Sequence, residues 1–268
     1  MMKRSITLLV LCVFYYNSSV CKSAEPPENN NLVDSNSVYE PNQPLPNAYL
    51  LEDFNDVFFL NWNILGNDPS HWSLDTVPGT LTITTQVGSF SRYRTDYDNI
   101  FLIDFPVAES VDFQVTTCVT NFYPYGFWNQ AGLILWINEY NHFKFVYEYG
   151  EGPPPNNAPK LLFTAAVEIN GFPIHGWFEA EQEPVDMWLR IIKRGGFYEL
   201  FNSTDGISFN SMTVIEPARL TADNKVRCLD EPLECIGIYA NNGGSYFAPE
   251  VDASFDFFEL TVLPKQKE

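Results

Sequence analysis

Residues 131–149 read Ala-Gly-Leu-Ile-Leu-Trp-Ile, then Asn138-Glu139-Tyr140-Asn141, then His-Phe-Lys-Phe-Val-Tyr-Glu-Tyr. Two runs rich in β-branched and aromatic residues flank four residues suited to a turn, which is the pattern of a β-hairpin. In the second run Phe143, Phe145, Tyr147 and Tyr149 fall on one face, and His142, Lys144 and Glu148 on the other, with Trp136 nearby on the first strand. The all-aromatic face is suited to a core and the mixed face to a surface, because strand side chains alternate sides.

The same grammar extends in both directions. Val111 to Val119 places Val111, Phe113, Val115 and Val119 on one side and Asp112, Gln114, Thr116 and Cys118 on the other, so Cys118 is expected away from the main core. A second hairpin runs from Trp188 to Ile192, turns at Gly195-Gly196 and returns through Phe197 to Phe201; Asp205-Gly206 marks another turn, and Ile236–Ala240 and Phe255–Val262 supply late strands. No window carries a helical stripe. Gly150 to Asn157 (GEGPPPNN) is loop-like, but strand signals of the same character resume on both sides, so it is a loop of one domain. Roughly ten or more short strands within one domain suit an all-β, two-sheet sandwich.

The segments before this domain differ in kind. Met1-Met2-Lys3-Arg4 followed by the apolar run Ile6–Tyr16 is too short to span a bilayer and fits a secretory signal peptide, residues 1–21. Ser19 and Cys21 are the small residues at the cleavage positions, whereas Ser18-Ser19-Val20 before Cys21 does not fit a bacterial lipoprotein. Residues 22–48, rich in Pro, Asn, Ser and Glu, cannot bury enough apolar surface to offset their chain entropy and form a disordered spacer. The domain is expected over 49–264, secreted and extracellular.

Export makes the cysteines interpretable. Cys228 and Cys235 bracket a short loop that a disulfide can close in an oxidising compartment, which leaves Cys118 as the odd one out, either a free thiol or a competitor for one of the two partners. Asn202-Ser203-Thr204 is a glycosylation sequon.

Composition excludes some partners. Asp and Glu outnumber Lys and Arg 34 to 15, a net charge of -19, and losing the two positive charges Lys3 and Arg4 with the signal takes it to -21. Such a chain is not built to displace counterions from nucleic acid or to sit on an anionic membrane. The excess of carboxylates does not amount to acid–base chemistry. Sandwich glucanases carry Glu-x-Asp-x-x-Glu on one strand, which supplies the carboxylates that hydrolysis requires at a cleft. The nearest match, Glu250-Val251-Asp252-Ala253-Ser254-Phe255, ends on Phe255. His71, His142 and His175 are the only neutral-pH bases, and no nucleophile elbow or zinc-protease motif accompanies them.

Taken in order, Glu52-Asp53-Phe54-Asn55-Asp56, Leu60-Asn61-Trp62, His71-Trp72-Ser73-Leu74, Pro78–Ile83, Gln130–Leu135, Asn141–Phe145, Trp188–Ile191, Ser203–Phe209, Ile236–Ala240 and Phe257–Leu260 form a recognisable series. It resembles the concanavalin A-like C-terminal domain of family-43 β-xylosidases and its stand-alone relatives, over roughly residues 49–263. The resemblance implies a jelly-roll sandwich with one concave sheet face, and an accessory or lectin-like module, because the xylosidases keep their catalytic carboxylates in a separate propeller domain. The chain departs from the family in its three mature cysteines, its acidity, the loop at 150–157 and the aromatic stretch Phe172–Phe178.

Glycan binding needs flat aromatic faces for sugar C–H groups and amides or carboxylates for hydroxyls. Tyr125, Trp128, Trp136, His142, Lys144 and Glu148 are expected to line the concave face or its rim, with Trp177 and Phe178 as further candidates. No cofactor is implied beyond a structural calcium, for which Glu52 or Asp53 and Asp256 are placed where the first and last strands meet. An acidic matrix or mineral-associated protein is the alternative function, motivated by the -21 charge and by Glu179, Glu181, Glu183 and Asp186; a glycoside hydrolase is the second.

Overall fold

The computed structural model describes residues 49–89, 94, 96–105, 111–151, 158–180, 186–212, 226–227, 229 and 232–264. The expected signal peptide and spacer, Cys228, and the 152–157 part of the loop at 150–157 lie outside them. Every element among the described residues is a strand: β1 Tyr49–Glu52, β2 Asn63–Leu65, β3 Trp72–Ser73, β4 Leu81–Thr84, β5 Ile100–Asp104, β6 Phe113–Thr120, β7 Gln130–Asn138, β8 Asn141–Glu151, β9 Pro159–Ile169, β10 Phe172–Glu179, β11 Asp186–Arg194, β12 Phe197–Ser203, β13 Asn210–Ser211, β14 Val226–Arg227, β15 Cys235–Asn241 and β16 Asp252–Val262.

Two antiparallel sheets form a sandwich. The nine-stranded sheet runs β13-β12-β11-β6-β16-β4-β3, with β1 paired to β16 and β14 to β12; the seven-stranded sheet runs β10-β9-β8-β7-β15-β5-β2. Alternation decides which side chains enter the space between them. In β11, Met187, Leu189 and Ile191 are buried and their neighbours are not. From the facing sheet Leu133, Leu135, Phe143, Phe145 and Tyr147 come inward to meet Val115, Val119, Phe255 and Phe258 in one core. Phe143 stacks on Tyr198 with ring centroids 5.2 Å apart, an aromatic contact that joins the two sheets.

Both hairpins form where the sequence places them. Between β7 and β8, Asn138 Oδ1 accepts from Tyr140 N at 2.9 Å and from Asn141 Nδ2 at 3.1 Å, closing the turn. The aromatic stretch Phe172–Phe178 forms most of a strand. It belongs to β10, an edge strand paired with β9 through the turn Asn170-Gly171, both residues at positive φ (50° and 78°), as a tight hairpin turn requires.

One feature departs from half-buried strands. From Gln130 to Trp136 and from Cys235 to Asn241 every residue is buried. The outer side of the seven-stranded sheet has its own apolar cluster, Ile100, Leu102, Ile134, Trp136, Val146, Cys235 and Tyr239, against which Leu65 and Tyr97 pack. The centre of this sheet is therefore covered on both faces, which is unusual for an antiparallel sheet.

Candidate functional site: the outer face of the seven-stranded sheet

Register assembles the site. Gln130 pairs with Glu148 and with Asn241; Gly132 with Val146 and Tyr239; Ile134 with Lys144 and Gly237; Trp136 with His142 and Cys235. On the other flank of β8, His142 faces Glu168, Lys144 faces Ala166, Val146 faces Thr164 and Glu148 faces Leu162. Directly paired residues share a face, so Trp136, His142, Lys144 and Glu148 come together as expected, joined by Gln130, Thr164, Glu168 and Tyr239.

These side chains form a hydrogen-bonded network. Lys144 Nζ donates to Gln130 Oε1 at 2.9 Å, and the Tyr239 hydroxyl donates to the same oxygen at 2.8 Å. Thr164 Oγ1 donates to Glu148 Oε1 at 2.7 Å. Burial governs the electrostatics. It raises the Glu148 carboxyl above its usual range, against the pull of Lys144 and the Thr164 hydrogen bond. It lowers the Lys144 ammonium, against the stabilising charges of Glu148 and Glu168. The His142 ring is held neutral, down to about 3, by burial and then by the Lys144 charge. Lys144 is the half-buried member of the set, whereas Gln130, Glu148, Thr164 and Glu168 are buried.

Trp136 and His142 do not line an open surface, contrary to expectation. Trp136 is fully buried: His142 stacks on it at 5.4 Å and 20°, and Tyr97 meets it edge-on at 5.9 Å. Its ring, like that of His142, builds the floor and offers no open face to a sugar. Of the expected aromatics, Tyr125 and Trp128 are exposed, both on the loop entering β7. Trp177 is the register partner of Thr164 in β10.

The calcium set does not assemble. Glu52 is fully buried, and its Oε2 accepts from Phe59 N and Leu60 N, both at 2.8 Å, and from Trp62 Nε1 at 3.2 Å. With three N–H groups converging on Oε2 and Phe54 N–H reaching Oε1 at 3.4 Å, this carboxylate is a loop anchor. Asp53 accepts from Asn55 N, and Asp256 stands exposed, its carboxyl raised by partial burial and by Asp186. Among the described residues no three acidic, histidine or cysteine side chains gather as a metal site.

Paired-carboxylate chemistry is also poorly served. Glu148 lies six residues from His142, the partner of Glu168, so the two backbones are about 20 Å apart along the strands. Hydrolysis needs carboxyl groups within roughly 5–9.5 Å. Asp252 opens β16 in the other sheet and accepts from Thr84 Oγ1, and Glu250, in the loop before it, lies 3.7 Å from His71.

Cysteines and sequon complete the picture. Cys118 is a free, buried thiol paired in register with Trp188 and Phe257, on the side of its sheet away from the core. Cys235 is disulfide-bonded, with its expected partner Cys228 outside the described residues. Asn202 is partly buried in β12 and its amide donates to Met212 Sδ at 3.0 Å, which leaves little room for an attached glycan.

Comparison with known structures gives the same architecture. A GH43 protein from Bacillus licheniformis superposes with a TM-score of 0.62 at 21% identity, over 80% of this chain and 39% of that one. A GH43 protein from Bacteroides ovatus gives 0.60 at 19%, over 80% and 39%. A functionally unknown protein from Saccharomyces cerevisiae gives 0.51 at 15%, over 76% of this chain and 97% of that one. The match thus spans about two-fifths of the length of the two bacterial proteins. No curated protein matches the sequence. Residues 52–225 match the beta xylosidase C-terminal concanavalin A-like domain, and the chain belongs to that family.

Proposed function

We propose that the protein is a secreted, non-catalytic module that binds glycan on the outer face of the seven-stranded sheet, around Lys144. One observation carries this reading: a hydrogen-bonded polar network gathers around the half-buried Lys144 on the outer sheet face, beside the apolar cluster of Ile134, Trp136 and Val146. Burying Lys144 and Glu148 opposes folding, because each must leave water. Groups retained at such a cost gather at functional sites. The network also has the chemistry that sugar hydroxyls require, with Lys144 as donor and Glu148 as acceptor at fixed positions. The separation of Glu148 from Glu168 favours binding over hydrolysis, and the apolar run Ile6–Tyr16 behind a basic head supports export.

Retention on immobilised xylan, β-glucan and cellulose tests the reading, with native protein and Lys144→Met. The apolar isostere removes the charge and keeps the volume, so the fold survives while affinity falls by about tenfold or more. Retention unchanged in Lys144→Met would place binding elsewhere. Release of reducing sugar would replace this reading with a hydrolase. Protein recovered from culture medium is expected to begin at Lys22.

A further inference from the structure

The end of the sheet that carries Gln130 and Glu148 runs into a second, exposed aromatic surface. Tyr123, Tyr125, Phe127 and Trp128 are 39–65% exposed on the loop before β7, and Tyr246 and Phe247 are 71% and 99% exposed on the loop after β15. A monomeric domain gains nothing from so much apolar surface in one place.

The two loops form one body. Asn129, fully buried, donates to Asn242 Oδ1 and to Pro249 O, and its own Oδ1 accepts from Gly126 N at 2.7 Å and Tyr125 N at 3.2 Å. Their backbones are so close that a Cβ on Gly126 would stand 2.4 Å from Pro249 Cδ. Trp128 sits at φ 65°, a left-handed conformation costly for a bulky residue. It is held there by its N–H to Tyr149 O at 2.7 Å and by Tyr149 N to Asn129 O at 3.1 Å. Such strain persists only where surrounding structure enforces it, and it concentrates at functional sites.

Gln130 joins this platform to the network. Its Nε2 donates to Trp128 O at 3.3 Å, while its Oε1 receives Lys144 and Tyr239. Arg94, the cation beside Tyr246, is paired with Asp96 and donates to the Tyr246 hydroxyl at 3.3 Å. A surface of rings with phenolic edges, its neighbouring charge already paired, suits the C–H faces and hydroxyls of neutral sugars.

We infer that the ligand is a polymer: one end or segment of a neutral glycan chain engages the Lys144 network, and successive units lie across Trp128, Tyr246 and Phe247. This rests on the glycan-binding reading above and adds the ligand's length and path.

Titration with xylo- and cello-oligosaccharides from monomer to hexamer, followed by calorimetry and tryptophan fluorescence, tests it. Native affinity should rise about tenfold or more across the series. Phe247→Ala removes a ring with almost no buried surface. Trp128→Asn removes the indole and places at φ 65° a residue that tolerates it. The double variant should keep the affinity for the shortest ligand that binds and lose most of the gain with length. A native affinity that does not depend on length, or a double variant that keeps the full gain, overturns the inference and leaves the Lys144 site standing. No binding at any length removes both readings.

Discussion

Trp136 and His142 stack with ring centroids 5.4 Å apart and planes 20° from parallel, on neighbouring strands of one sheet face. The stack places an imidazole where water does not reach, beside Lys144 and opposite Glu168.

Acid should therefore weaken this fold early. Burial, then the Lys144 charge, brings His142 down to about 3 from its ordinary 6.5. Between these values the unfolded chain binds a proton that the folded protein refuses, so stability falls as pH drops. At full slope the loss is about 1.4 kcal/mol per pH unit, or roughly 2 kcal/mol from pH 6.5 to 5. Glu148 works in the opposite sense, because its raised carboxyl costs stability at neutral pH and that cost is recovered as pH falls towards the ordinary carboxylate range. Denaturant midpoints at pH 7.5 and 5 should differ clearly in the native protein and much less in His142→Phe, which keeps the stack. An equal pH dependence in the two proteins would assign the acid sensitivity elsewhere.

The hairpin 130–151 was legible because alternation in a strand is local: Phe143, Phe145 and Tyr147 announce a core face and His142, Lys144 and Glu148 the opposite one. The network was not. Gln130 and Tyr239 lie 109 residues apart and meet only because β15 pairs with β7. Periodicity places each residue on a face and says nothing of its partner. The same limit explains Trp136, assigned to the right face but covered by Tyr97 from a distant segment. The role of β10 had a local signal in Asn170-Gly171, obscured by the aromatic character of Phe172–Phe178. Tyr246 and Phe247 lie in an aperiodic loop, and contacts remote in sequence, Asn129 with Asn242 and Pro249, show that they extend the surface around Trp128.

The first turn of the domain hangs on Glu52. Glu52→Ala removes the acceptor of Phe59 N, Leu60 N and Trp62 Nε1 at once and leaves a void beside Phe54, whose N–H also points at this carboxylate. Buried donors left unsatisfied cost about 1–3 kcal/mol each, so a total of about 3–5 kcal/mol is expected, with melting lowered by roughly 10 °C. Glu52→Gln keeps one oxygen for the three donors and should cost only about 1 kcal/mol. Because N–H groups, not a cation, face this carboxylate, a chelator should leave the melting temperature of the native protein unchanged. A calorimetric shift with chelator that is absent in Glu52→Gln would restore the calcium expectation.

Cys118 should behave as a thiol that exists chemically only in the unfolded chain. It is 2% exposed, and its thiol is pushed well above the ordinary range by burial and further by the charges of Asp186 and Asp256. Thiolate is the reactive form, so folding suppresses both access and nucleophilicity. A maleimide at pH 8 should leave the native protein unlabelled over hours and modify one cysteine after denaturation without reductant, since Cys235 is already disulfide-bonded. Peptide mapping should place that label at position 118, and Cys118→Ala should abolish it. No label in the denatured, unreduced protein would mean that Cys118 is itself oxidised; three labels, at positions 118, 228 and 235, would mean that the disulfide at Cys235 is not formed in solution.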